Sequence, residues 1–408
     1  VNLAERLALR TALEALRAGV PNRAAVTLLG SVEDAIEERF EAGLGGAWDA
    51  SPGMLFAGGF GAGKSHLLGF LREMALRQNF IVSRVAVSKE TPLSAPLVMF
   101  AAALRDTIVP GHADDALAVA LAELQRRPAA IEALEALVSA PEAGFVPVFA
   151  AILYLLRRQV PADLLRRVEA FLAGGKLPGT ALRQALTQAG ARGVFDLARI
   201  TETTLALQRE RFIPLLFRAA GFAGWCVLID EVELIGRYSP LQRARAYAEL
   251  AGWLALGAPP RVSGLYVAAA ITDDFASEVI NNRQDDEKLP ERLRLKGTPE
   301  VADLALAAMR AIEAAPVLSP PAEADLQRYV DILRRSYGAA YGWTAPPLPV
   351  GERRTNRTMR HHVRSWITQW DLLRLQGRAT CTEVETIPSN YAETTDLDEA
   401  PAPAEDES

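Results

Sequence analysis

Cysteine and histidine are scarce in this sequence, and that scarcity removes two classes of site. Two cysteines stand in 408 residues, Cys226 within an apolar run and Cys381 near the end. They are too few for a disulfide framework or a cysteine-ligated metal. Of the four histidines, His66, His112, His361 and His362, none falls in an H-E-x-x-H or Cys/His spacing, so no transition-metal site is expected. No run of about 18 apolar residues and no signal-peptide apolar core occurs, which predicts no membrane partner and a cytoplasmic location. Bases are missing from the last twenty residues, where seven acids outweigh the whole net charge of −6 and leave the remainder at +1. That remainder lacks the broad basic footprint of a nucleic-acid binder. Residues 389–408 read as a disordered acidic tail.

What is present is an ordinary globular balance, 50% hydrophobic and 23% charged, over a length that suits two or three structural units. The chain is organised around Gly58, Gly59, Phe60, Gly61, Ala62, Gly63, Lys64 and Ser65. This octet fits the phosphate-binding pattern G-x-x-x-x-G-K-[ST], the Walker A motif, at every fixed position. Met54 to Ala57 before it reads as a buried strand, and Ser65 to Gln78, including His66, as a helix. The glycines let successive backbone N–H groups face phosphate oxygens at the positive end of the helix dipole. Lys64 is expected at the β and γ phosphates, and the Ser65 hydroxyl on Mg²⁺.

In chain order, Asn2 to Ala18 has a helical period ended by Gly19 and Pro21, followed by helices at Arg23 to Leu29 and Val32 to Ala42 and a loop over Gly43 to Gly53. Phe80 to Val87 reads as a second strand. From Pro96 to Ala219 the pattern is almost entirely helical. For this insertion a partner surface and a homo-oligomer surface stand beside plain structural padding. Trp225 to Ile229 is a strand running into Asp230 and Glu231, a Walker B pattern. Such an Asp holds Mg²⁺ through its water shell, and the next Glu orients an attacking water; the alternative is an acidic helix cap. Glu233 is a weaker candidate. Leu265 to Ile271 reads as a strand ending at Thr272, which either senses the γ phosphate or simply caps the strand.

Arg292-Leu293-Arg294-Leu295 reads as the start of a last strand before a helix at Pro299 to Ala314. Its arginines are either solvated charge or a cation projected into a neighbouring subunit's nucleotide, Arg292 first, then Arg294 and Arg283. Helices are expected at Ala322 to Tyr337 and Thr355 to Leu375. Arg357, Arg360 and Arg364 share one face of the second, which suits a lid over a triphosphate, nucleic-acid phosphates or solvent. They belong to the one clearly basic stretch, Gly351 to Arg378, with seven arginines.

These pieces in this order resemble a AAA+ ATPase of the branch that holds the origin-recognition ATPases and replication initiators. The resemblance implies an α/β P-loop NTPase (AAA+/ASCE) with a parallel sheet, an added strand between the two Walker strands, a large helical insertion and a C-terminal helical lid. The expected divisions are 1–94 and 220–315 for the ATPase core, 95–219 for the insertion, 316–388 for the lid and 389–408 for the tail. By the same resemblance Pro21, Asn22 and Arg23 border adenine, and Arg357 is the lid's sensor arginine. More specifically, Glu14 to Arg23, Gly58 to Leu71, Phe80 to Pro92 and Arg364 to Arg374 resemble the BREX-system ATP-binding proteins of the BrxD type. That implies ATP and Mg²⁺ as cofactors, a role in phage defence, and DNA or an Lhr-like superfamily 2 helicase as partner. A nucleotide-dependent switch with negligible turnover and an initiator-like DNA loader are the alternatives.

Overall fold

Runs such as Met-Leu-Phe-Ala and Leu-Tyr-Val-Ala-Ala-Ala-Ile have no polar face to offer water, so they are stable only with both sides of a sheet covered. The computed structural model describes residues 2–20, 22–49, 51–113, 115–158, 161–176, 179–197, 200–257, 263–348, 358–377 and 391. In it these runs become β1 (Met54–Ala57), β2 (Phe80–Ala86), β4 (Gly224–Asp230) and β5 (Leu265–Ile271), with a two-residue β3 (Thr107–Ile108) between β2 and β4 in the chain. The spatial order is β1-β5-β4-β2-β3. All pairs are parallel except β2 with β3. The α/β class is therefore as expected, and β5 lies between β1 and β4.

Register decides what meets at the edge. Ala57 pairs with Ile271, and Ala86 with Asp230. The residues that follow β1, β5, β4 and β2 therefore gather at one carboxyl edge. The chain leaves β1 for β2 across the places of two strands and fills those places later, which opens a crevice at that edge.

The Arg292 to Leu295 segment is not a strand. It is the last turn of a helix over Asp285–Leu295. Leu289 and Leu293, four apart, are the buried pair, and acids begin and arginines end the helix as its dipole favours. Beside β1 the outer place is taken by Val317, through an isolated parallel bridge to Ala57. The loop expected over Gly43 to Gly53 is partly helical, because the preceding helix runs on to Gly45.

The N-terminal helices are α1 (Leu3–Ala18), α2 (Arg23–Leu29) and α3 (Asp34–Gly45). Helix α4 (Lys64–Arg77) follows the glycine-rich loop. The insertion contributes α5 (Pro96–Arg105), α6 (Ala116–Gln125), α7 (Pro128–Ser139), α8 (Pro147–Leu156), α9 (Ala162–Leu172), α10 (Gly179–Gln188) and α11 (Glu202–Ala219). Then come α12 (Pro240–Trp253), α13 (Asp285–Leu295), α14 (Pro299–Glu313), α15 (Glu323–Tyr341) and α16 (Met359–Gln376).

Three cores result. On one sheet face Ile81, Val85, Val227 and Ile229 join Leu121, Phe149 and Phe212 of the insertion. Trp225 seals this joint, with Phe100, Phe217 and Trp253 edge-on at 6.0, 6.2 and 6.3 Å. Its indole N–H finds Ser83 Oγ at 2.8 Å, so no buried donor is wasted. The other face packs Leu67, Leu68 and Leu71 of α4 on Phe56, Val82 and Leu228. The third core ties Leu13 of α1 and Leu29 of α2 to Leu333, Tyr337, Trp366 and Trp370 of α15 and α16. Each fully buried side chain of this size contributes roughly 1.5–3 kcal/mol. The first and last helical segments are thus one layer, placed over the carboxyl edge.

Candidate functional site

The loop Gly58 to Ser65 connects β1 to α4 at the crevice. Gly61 and Gly63 have φ of +80° and +116°, values that side chains with a Cβ rarely adopt. Gly61 has a second reason to be glycine: a Cβ there would stand 2.9 Å from Thr358 Oγ1. Immediately beyond Thr358, the Arg360 N–H donates to the Gly61 carbonyl at 3.2 Å. The Arg360 guanidinium lies 5.0 Å from the centre of the Phe60 ring. The start of α16 therefore sits directly on the loop.

Lys64 is buried and its ammonium is turned to groups of the protein itself. Nζ donates to the Gly58 carbonyl at 2.8 Å and to the Gly59 carbonyl at 3.5 Å. Glu233 Oε1 is 3.7 Å away. Ser65 faces the groove, and the ring of His66 turns to the Gly30 carbonyl at 2.8 Å. Burial holds the His66 pKa below its ordinary value.

Asp230 and Glu231 end β4. Asp230 is buried, and its Oδ1 accepts the Glu231 N–H at 3.0 Å while Oδ2 accepts Arg84 Nη2 at 2.7 Å. Arg84 comes from the neighbouring β2. Glu231 has φ 58° and ψ 32°, left-handed backbone for a residue that is not glycine. Desolvation first, and then the Asp230 charge, raise its pKa. Desolvation also pushes Glu233 up to about 7 against the pull of Lys64. Glu231 and Glu233 both line the groove with Gly59 to His66.

Thr272 follows β5 and is buried. Its Oγ1 is 2.5 Å from the hydroxyl of Tyr391, which also donates to Asp274 Oδ1 at 2.6 Å. The Tyr391 ring stands edge-on to Phe275 at 5.9 Å. Tyr391 is the described residue of the acidic tail.

The groove continues past the loop into an apolar recess floored by Leu16, Val20, Leu29 and Val32, with Tyr329 and Val363 opposite. Asn22 borders it, but its Oδ1 is used in capping α2, accepting from Ala24 and Ala25 at 2.8 and 3.3 Å. Arg23 turns away to Glu73 at 3.1 Å. Glu33 lines the recess, its pKa raised chiefly by desolvation. Pro21 and Arg357 lie outside the described residues.

The structure thus brings Gly59 to His66, Glu231 and Arg360 to one groove, while Asp230 and Thr272 are buried and do not line it. It does not bring the finger candidates there. Arg283 turns inward to the carbonyls of Gly236 at 2.9 Å and Tyr391 at 2.5 Å. Arg294 pairs with Asp303 at 2.9 Å, and Arg292 borders a separate depression between α12 and α13 with Pro240 and Leu241. Sequence reasoning missed Arg84 and Tyr391 and undervalued Glu233. Arg84 did leave a signal, a full charge inside an otherwise apolar strand.

No curated protein and no solved structure matches the chain. Residues 6–118 match the family model described as BREX system ATP-binding protein BrxC/D. The span includes the Gly58 to Ser65 loop and ends before β4. The loop and this match together support reading the chain as a BREX system ATP-binding protein of the BrxC/D kind.

Proposed function

We propose that this chain binds Mg-ATP and hydrolyses it as a AAA+ ATPase of a BREX-type phage-defence system, coupling turnover to DNA or to an Lhr-like helicase partner. The observation that carries this reading is the meeting of Lys64, Asp230 and Glu231 at the glycine-rich loop, on the carboxyl edge of a parallel sheet. Backbone N–H groups of the loop and the start of α4 hold the phosphates, and the apolar recess takes the base. Lys64 leaves the Gly58 carbonyl for the β and γ phosphates. Glu231, open to solvent and raised in pKa, orients and polarises the attacking water. Arg360, already on the loop, closes the lid on the triphosphate. Thr272 contacts the γ phosphate or the water once the Tyr391 hydroxyl yields it.

The residues present fit Mg²⁺. That ion takes one or two protein oxygens and keeps several waters, and Ser65 Oγ with Asp230 is such a donor set. Both Asp230 oxygens already accept a hydrogen bond, so its remaining lone pairs serve the ion's water shell. When bound, the ion neutralises developing charge on the phosphate oxygens.

A switch with negligible turnover is the second reading, favoured by the Arg84–Asp230 pair, which competes for the carboxylate the metal needs. Glu231→Gln separates the two. On the ATPase reading the variant retains MgATP and loses turnover. Wild-type protein that binds MgATP without turnover, alone and with DNA, supports the switch.

A further inference from the structure

The side chain of Glu233 has no place in the chemistry described above, yet it is built into the same groove. It enters on the turn Val232–Arg237 that follows Glu231, and its carboxylate is buried with Lys64, the two side chains 14% and 9% exposed. Oε1 is 3.7 Å from Lys64 Nζ, and Oε2 has no hydrogen-bond partner. Lys64 Nζ is otherwise turned to the Gly58 and Gly59 carbonyls. Three donors of one ammonium thus face three groups of the protein itself. A phosphate entering the loop finds its lysine taken, and taking it leaves the Glu233 carboxylate without its cation, beside a new anion.

We infer that Glu233 is a positioning residue that holds Lys64 in the nucleotide-free loop and surrenders it to phosphate, setting nucleotide affinity through the lysine. The inference rests on the phosphate-binding reading of Gly58 to Ser65. Its surroundings agree with a braking role. Lys64 faces it from α4, Asp230 and Glu231 from the end of β4, and Arg84 of β2 is spent on Asp230. Arg360 of α16 acts on Glu231. Lys64 is therefore the cation held against Glu233.

The test is a double-mutant cycle read by calorimetric titration of MgATP and MgADP into the full chain. Glu233→Gln keeps the shape and removes the charge, so it should tighten MgATP binding by about tenfold. Glu233→Asp should stay near wild type. In the Lys64→Ala background the same Gln substitution should leave affinity unchanged, because the lysine is the route of the effect. Unchanged or weaker binding by Glu233→Gln, in a protein that melts no lower than wild type, would overturn the inference. So would a tenfold gain that persists without Lys64, since that is direct repulsion of phosphate. Equal MgATP binding by wild-type and Lys64→Ala proteins would instead sink the phosphate-binding reading beneath it.

Discussion

Glu231 occupies backbone that glycine prefers, and this separates its chemistry from its cost to the fold. A residue with a Cβ in the left-handed region costs about 1–2 kcal/mol, while glycine gives back about 0.5–1 kcal/mol through the extra freedom of its unfolded chain. The backbone bonds at this point, Glu231 N–H to Asp230 Oδ1 at 3.0 Å and Leu234 N–H to the Glu231 carbonyl at 3.0 Å, survive any side-chain change. Glu231→Gly should therefore exceed Glu231→Gln in stability by about 0.5–1 kcal/mol, since both lack the carboxylate and differ mainly in strain. Urea unfolding of the nucleotide-free proteins reads that difference. ATP hydrolysis should fall by about 10²-fold or more in both, as expected for loss of a group that polarises water. A glycine variant less stable than the glutamine variant would show that the side chain supports the turn. Near-normal turnover in either would remove Glu231 from the mechanism.

Three further outcomes follow from particular contacts. Arg243 and Asp285 are both 2% exposed and joined by two bonds of 2.6 and 2.9 Å, with Tyr247 donating to the same carboxylate at 3.2 Å. Asp285→Asn should cost about 3–5 kcal/mol in urea unfolding, by leaving a buried guanidinium uncompensated; a cost below 1 kcal/mol would refute this. Glu233 has a folded pKa of about 7 against 4.5 for the unfolded group, so the folded state binds its proton more tightly. Its contribution is fully present below pH 4.5 and is lost as pH rises through 7, about 3 kcal/mol in all. Glu233→Gln mimics the protonated form, so it should match wild type at low pH, exceed it at about pH 8, and show a flatter profile; parallel profiles would contradict this. Arg360→Ala removes the guanidinium over Phe60 and should weaken MgATP binding in calorimetric titration by about tenfold; unchanged affinity would take α16 out of the site.

Much of this was legible in the chain because the signals are local. The apolar runs of β1, β4 and β5, the glycines of the loop, and Gly19 as the left-handed end of α1 each follow from neighbours in sequence. Contacts set by strand order were not. Arg84 reaches Asp230 because β2 and β4 are adjacent, and no spacing announces a pair 146 residues apart. Thr272 meets Tyr391 across 119 residues, and no spacing announces that pair either. The direction of Glu233 depended on the left-handed turn at Glu231, which sends the chain back toward Lys64. Arg292 to Leu295 misled because two apolar residues alternating with charge satisfy a short strand and a helix end equally; Leu289, four residues earlier, decides for the helix.

The central claim is that the groove at Gly58 to Ser65 turns over ATP with Glu231. Steady-state ATP hydrolysis by the purified protein tests it most directly, alone and with single-stranded or duplex DNA, beside Lys64→Ala and Glu231→Gln. The account predicts Mg-dependent turnover that DNA raises and that both substitutions abolish, with ATP still bound by Glu231→Gln. Turnover unaffected by either substitution would contradict it.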